Sequence, residues 1–138
     1  MLGSFDTWDM GNTQSEWIAQ AKQKYIKDGI FLDDGGDLGC GGTFENAHLG
    51  YLEGIYLYAS GDPKAVRASA EIIEAGCNAA IEQGMGIPIA AFGCQMNKRF
   101  GPACYNYPKY MSKIKKALDP NTASDPFFYA EPEDNQKP

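Results

Sequence analysis

The chain has 138 residues, of which 43% are hydrophobic and 22% charged, and its formal net charge is −6. These values are typical of one soluble globular domain, and the negative charge argues against a general nucleic-acid binder. No apolar run reaches the ~18 residues of a membrane span, and the N-terminus lacks the basic and apolar regions of a signal peptide, so we expect a cytoplasmic protein.

The N-terminal third predicts a helix and a glycine-rich loop. Thr13 and Glu16 have the spacing of a capping box, and Gly29 is a plausible stop, which predicts a helix over residues 14–28. The segment "DDGGDLGCGGTF" follows. Its carboxylates would repel a phosphate, and its spacing lacks the ligands of a calcium loop, so we interpret it as a surface or interface loop.

The middle of the chain predicts a strand, a long helix and a second strand. "AHLGYLEGIYLYA" has aromatic and branched residues on both faces, which favours a central buried strand. Asp62 is a candidate cap and Gly84 a candidate stop for the next helix. Its predicted core-facing stripe is made of Val66, Ala70, Ile73, Cys77 and Ile81. "GIPIAAFG" predicts the second strand.

The C-terminal part predicts a basic helix and a tail. "YPKYMSKIKKAL" predicts a helix that begins near Pro108 and ends before Pro120, and the proline-rich tail is expected to be extended. Residues 98–116 carry six basic and no acidic residues, which indicates either a solvated helix face or a surface for an anion. Two predicted strands cannot form a stable sheet alone, so strands are either missed or supplied by another chain.

Two short segments contain the candidate chemistry. His48 is the single histidine, and it is either structural or a catalytic base. In "NKRFGPACYNY", cations next to phenols could bind a carboxylate or a phenolate, or could be ordinary surface residues. The segment contributes Lys98, Arg99, Tyr105 and Tyr107. Four cysteines without a C-x-x-C pair, and one histidine, predict free thiols and no metal site, with Cys77 in the core.

The run "MSKIKKALDPNTASDP" resembles the C-terminal signature of the FAD-linked oxidases of the vanillyl-alcohol-oxidase and glycolate-oxidase type. The preceding "YNYPKYM" and the strand–helix segment from "AHLGYLEG" to "AAIEQG" are also similar to that family, so the resemblance spans roughly residues 44–129. It implies an α+β fold, namely a ferredoxin-like half of the cap domain over residues 1–118. Residues 119–138 would be an extended tail that packs on a partner.

The resemblance implies a function that needs a second polypeptide. The chain would be a small subunit that completes the substrate-binding cap of a heteromeric FAD-dependent oxidoreductase, inactive alone. A partner subunit would hold the FAD, and an alcohol-type or phenolic small molecule would be the substrate. His48 and Tyr105 are then the catalytic candidates, and Arg99, Tyr107 and Lys98 the substrate-binding ones. The alternative is a non-catalytic α+β interaction module, because the family's histidine- and glutamate-containing runs are not kept here.

Overall fold

A computed structural model describes residues 2–35, 39–87 and 99–124 of the chain. The fold is mixed α+β, with long helices and small antiparallel sheets, and contacts group the chain into two compact units, residues 1–91 and 92–138. The first unit contains β1 (Leu2–Asp6), α1 (Trp8–Lys27), β2 (Phe31–Leu32), β3 (Gly39–Phe44), β4 (Leu49–Gly54), β5 (Leu57–Tyr58) and α2 (Pro63–Gln83). The second contains a 3₁₀ helix (Gly101–Cys104) and α3 (Tyr107–Leu118). The sequence-based boundary after residue 118 separates a cap-type domain from a tail that would pack on a partner. It stays a prediction.

The first unit builds its own three-stranded sheet in the order β1-β4-β3, and a separate pair joins β2 to β5. Strand β4 is central, as predicted, and both of its neighbours run antiparallel to it. The prediction of one buried strand is wrong, because the segment is divided between β4 and β5 in different sheets and only Gly50 of β4 is buried. The strand count from the sequence was wrong because β1 and β3 are rich in glycine or lie next to the terminus. The predicted glycine-rich loop in fact contains β3 over its last six residues. The second predicted strand falls mainly on residues 88–93, outside the described residues.

Helix α1 begins six residues earlier than predicted, at Trp8 instead of residue 14. The capping box does not form, because the hydroxyl of Thr13 donates to the backbone carbonyl of Asp9, one turn back, at 3.0 Å. The stop is confirmed. Gly29 has a φ of +66°, and Ile30 N–H donates to the Tyr25 carbonyl at 2.8 Å, which closes the C-terminus of the helix.

The core lies where α1 crosses the sheet and meets α2. A Cβ at Gly54 would lie 2.5 Å from Ile18 Cγ2, and one at Gly50 would lie 3.0 Å from the Trp8 ring, so these glycines set the close approach of α1 to β4. Beside them, the ring of Phe31 lies 4.8 Å from that of Tyr25 and 4.9 Å from that of Tyr56. All three rings are buried.

The ends of α2 are as predicted, but its buried face is not. The Asp62 carboxylate accepts from Lys64 N–H at 2.9 Å, and Gly84 takes the left-handed conformation after the last turn. The buried face consists mainly of small residues: Ala65, Ala68, Ser69, Ile72, Gly76, Cys77, Ala79 and Ala80. Of the predicted stripe, only Cys77 is buried. Val66, Ala70 and Ile81 are exposed and Ile73 is half-buried. Small side chains let α2 approach its neighbours closely. The close packing of this face decides which side of the helix is buried, and not the burial of the larger aliphatic side chains.

Helix α3 of the second unit has the predicted bounds, and a compact turn follows it. The Asp119 carboxylate accepts from the backbone N–H groups of Ala123 and Ser124, both at 3.0 Å, and from Lys115 Nζ at 2.6 Å. These partners, Lys115 first, lower the pKa of Asp119 to about 2. The tail was predicted to be extended from residue 119, and this is wrong for Asp119–Ser124, because the carboxylate folds the chain back on itself. Residues 125–138 lie outside the described residues.

Candidate functional site in the first unit

The outward face of the three-stranded sheet is defined by the register of its strands. Phe5 of β1 and Gly42 of β3 both pair with Tyr51 of β4, and Cys40 pairs with Glu53. Directly opposed residues share a face, and alternate residues of a strand point the same way. The face turned away from α1 therefore carries Phe5, Cys40, Phe44, Leu49, Tyr51 and Glu53, which we call the outward face.

Aromatic rings dominate the outward face. The ring centroid of Phe5 lies 4.9 Å from that of Phe44, edge to face, and 5.1 Å from that of Tyr51. Phe5 and Phe44 come from the two strands that flank β4, so their rings meet across the central strand. Both remain about half exposed, at 49% and 45%. Such rings can stack on, or meet edge-on, a planar ligand.

A hydrogen-bonded pair of titratable groups lies beside these rings. Tyr51 and Glu53 are two residues apart on β4, and the Tyr51 hydroxyl donates to Glu53 Oε2. Partial burial, and then the adjacent carboxylate, raise the pKa of Tyr51 to about 12. Tyr51 is therefore a neutral hydrogen-bond donor at physiological pH, and Glu53 supplies an acceptor next to it. Cys40 pairs with Glu53 across the two strands, and it is an exposed free cysteine.

A cavity of about 330 Å³ lies between α1, β3 and β4. It is lined by Ser15, Ile18, Ala19, Lys22, Gly39, Cys40, Gly41, Leu52, Glu53 and Gly54. Lys22 is almost fully buried, and its Nζ lies 2.9 Å from Asp34 Oδ2, whose side chain is also buried. A pair this deeply buried holds the chain after α1 in place.

The residues predicted from sequence are divided between the two units. His48 is exposed in the first unit and follows the turn Glu45–Ala47, in which all three residues have positive φ angles. Tyr105 is 98% exposed and Tyr107 56% exposed, on either side of Asn106 in the second unit. Arg99 is half-buried there, and Lys98 lies outside the described residues. Tyr105 and Tyr107 are thus two residues apart at the start of α3, whereas His48 belongs to the first unit.

The sequence interpretation missed the outward face. Its signal was present in β4, where Leu49, Tyr51 and Glu53 alternate along one face. It was masked because aromatic and branched residues also occupy other positions of the same segment, and because the partner strands β1 and β3 were not predicted.

No group of three or more His, Cys, Asp or Glu side chains within the described ranges is arranged to hold a metal ion.

No family model, curated protein or solved structure matches this chain. In the part of the chain that the structure describes, no helix is both long and apolar enough to cross a membrane.

Proposed function

We propose that this chain is a small cytoplasmic subunit that completes the substrate cap of a heteromeric FAD-dependent oxidoreductase acting on an alcohol-type or phenolic substrate. The observation that carries the proposal is the outward face, where the half-exposed rings of Phe5 and Phe44 lie beside the hydrogen-bonded pair of Tyr51 and Glu53. Such a face suits a planar or hydroxylated small molecule. The resemblance of residues 44–129 to FAD-linked oxidases supplies the reaction class.

The order of elements supports a ferredoxin-like part of such a cap. With the short pair β2 and β5 set aside, the first unit follows the order β1, α1, β3, β4, α2. This is the order of the first five elements of a ferredoxin-like βαββαβ unit. The sixth element would correspond to the strand predicted from "GIPIAAFG".

The FAD belongs to the partner in this proposal. The glycines that could approach a phosphate closely lie near Asp33 and Asp34, and carboxylates there oppose a dinucleotide. Bound FAD would supply hydride acceptance. The side chains of this subunit would bind and orient the substrate. The rings of Phe5 and Phe44 would contact its apolar part, while Glu53 accepts from its hydroxyl group. The Tyr51 hydroxyl, which donates to Glu53, would hold that carboxylate in place.

The earlier candidates remain part of the proposal. On the resemblance alone, His48 and Tyr105 are proposed catalytic groups, and Arg99, Tyr107 and Lys98 are proposed substrate-binding groups. In the assembled enzyme, Arg99→Lys would keep the charge but lose the planar fork of the guanidinium. We expect turnover to fall at least about tenfold, or ~1.4 kcal/mol. Unchanged kinetics in Arg99→Lys, Tyr105→Phe and Tyr107→Phe would remove this segment from the active site.

The test of the proposed function uses the full chain co-expressed with the product of the neighbouring reading frame, which the proposal expects to be an FAD-binding protein. We expect the two to purify together as a yellow complex that oxidises an alcohol-type or phenolic substrate. Tyr51→Phe and Glu53→Gln should each lower turnover at least about tenfold while assembly and bound flavin are unchanged. Tyr58→Phe, outside the outward face, is the matched control. Normal turnover in both outward-face variants would exclude this face as the substrate surface.

The alternative function is a non-catalytic interaction module. The observation that favours it is the exposure of Tyr105, Tyr107, Tyr110 and Leu118 in the second unit, each more than half exposed. Assembly with a partner that gains no activity from the chain would support this alternative.

A further inference from the structure

Strand β3 forms one edge of the three-stranded sheet. It pairs with β4 on one side, and five of its six residues are exposed. Among the described residues, no strand pairs with its other side. An edge strand presents unpaired backbone N–H and C=O groups, and proteins usually protect such an edge with Lys, Pro or a covering segment. The sequence of β3, "GCGGTF", contains neither Lys nor Pro.

The opposite edge, β1, differs because the segment after α2 lies against it. Gly86 N–H donates to Asp6 Oδ2 at 2.6 Å, at the end of β1. A Cβ at Gly86 would lie 2.5 Å from the carbonyl oxygen of Phe5. Of the two edges, β3 is therefore the better candidate for a further strand.

The cavity beneath β3 indicates which kind of side chain the added strand must have on its inward face. Gly41 pairs with Leu52, and a Cβ at Gly41 would lie 2.7 Å from Leu52 Cδ2, so Gly41 faces α1. Gly39, two residues before it, faces the same way. Because both inward positions lack side chains, the cavity of about 330 Å³ remains between them and α1, where Ile18, Ala19 and, from β4, Leu52 supply apolar surface beside the polar residues Ser15 and Lys22. A strand added outside β3 would run about 4.8 Å away, within reach of this space for a long side chain.

We infer that the outer edge of β3 accepts an extended strand of the partner subunit, and that a large apolar side chain of that strand enters the cavity. The identity of the partner rests on the proposed function, whereas the pairing rests on the edge and the cavity alone. The partner strand would extend the sheet by backbone hydrogen bonds, and the cavity would select its inward residue.

A second copy of this chain fits the edge less well. Two copies of β3 paired antiparallel across the edge would keep the same face inward. The copy would therefore bring Gly39, Gly41 and Thr43 toward the cavity and leave it unfilled. Each copy also carries a net charge of −6, which opposes self-association.

The test uses the full chain and a synthetic octapeptide that alternates Leu and Thr between terminal lysines. We expect hydrogen exchange of the Gly39–Phe44 amides to slow when the peptide binds. A peptide with Ala in place of Leu should bind about tenfold more weakly. The control peptide is N-methylated along one edge, which removes its donors. Equal binding of the N-methylated peptide, or protection elsewhere only, would overturn the inference.

Two variants test the cavity separately. Ala19→Leu fills the space from the helix, and we expect it to abolish the preference for Leu over Ala peptides. Gln20→Leu, at an exposed position of the same helix, should keep that preference. An unchanged preference in Ala19→Leu would overturn the role of the cavity, and a dimer with protected β3 amides in the absence of peptide would show that the occupant is a second copy. Because no flavin takes part, failure of the proposed function would leave these results unaffected.

Discussion

Helices α1 and α2 of the first unit both bury side chains, whereas α3 of the second unit has no buried residue. Ile18 and Ile72 are each 1% exposed, but Leu118 at the end of α3 is 82% exposed. In the described part of the second unit, Phe100 before α3 is buried, and polar contacts such as those of Asp119 fix the turn after α3. We conclude that the packing stability of the described chain resides mainly in the first unit, and the following predictions test this contrast.

The largest effect is expected at the buried ion pair of the first unit. Lys22→Met leaves the buried Asp34 without this partner, and breaking such a pair costs about 3–5 kcal/mol of unfolding free energy. Chemical denaturation measures the change. Lys113→Met, at an exposed position of α3, is the control and should change stability by less than about 0.5 kcal/mol. Equal losses in the two variants would contradict the contrast between the units.

Neighbouring isoleucines of α2 should respond differently. Ile72→Ala removes a fully buried side chain and should cost about 2–5 kcal/mol, while Ile73→Ala, at a half-buried position, should cost clearly less. Leu118→Ala in the second unit should have almost no effect. Melting temperatures of the three variants give the order. A larger loss at Ile73 than at Ile72 would restore the helix face predicted from sequence.

The contact between α1 and β4 depends on glycine at position 54. Gly54→Ala places a methyl group against Ile18 and should cost about 1–3 kcal/mol through overpacking. Gly61→Ala is the matched control, because no atom lies within 4 Å of its added Cβ. The free energy of unfolding checks both, and equal values for the two variants would mean that the helix can shift away from the strand.

The smallest expected effect is the alkaline titration of Tyr51. Its pKa is raised to about 12 in the folded chain, whereas the unperturbed value is 10.0. The folded state therefore holds this proton more tightly. The resulting stability is fully present below pH 10 and is lost as the pH rises through about 12. Tyrosinate absorbance should show a late component that disappears in Tyr51→Phe, although the buried Tyr56, whose pKa is also raised by burial, still titrates late. If Tyr51→Phe showed the same late component as the unchanged chain, Tyr51 would be exposed to solvent and not bonded to Glu53.

The bounds of α2 and α3 were predictable because their ends carry local signals, whereas the start of α1 was not. Asp62, Gly84 and Pro108 act on their own turns, so the bounds of α2 and α3 could be derived from the sequence. The inward face of α2 could not, because it depends on how closely neighbouring elements approach. Strand β3 was missed since glycine has low strand propensity, and its pairing with β4 is a tertiary effect. Without β1 and β3, the cluster of Phe5, Phe44 and Tyr51 had no basis in the sequence interpretation.

The most direct test of the proposed function is the rate at which substrate bleaches the flavin of the FAD-binding partner under anaerobic single-turnover conditions. We expect rapid bleaching when the full chain is present, and at least about tenfold slower bleaching when the chain is omitted or carries Glu53→Gln. The same rate with and without the chain would contradict the proposal that it completes the substrate cap.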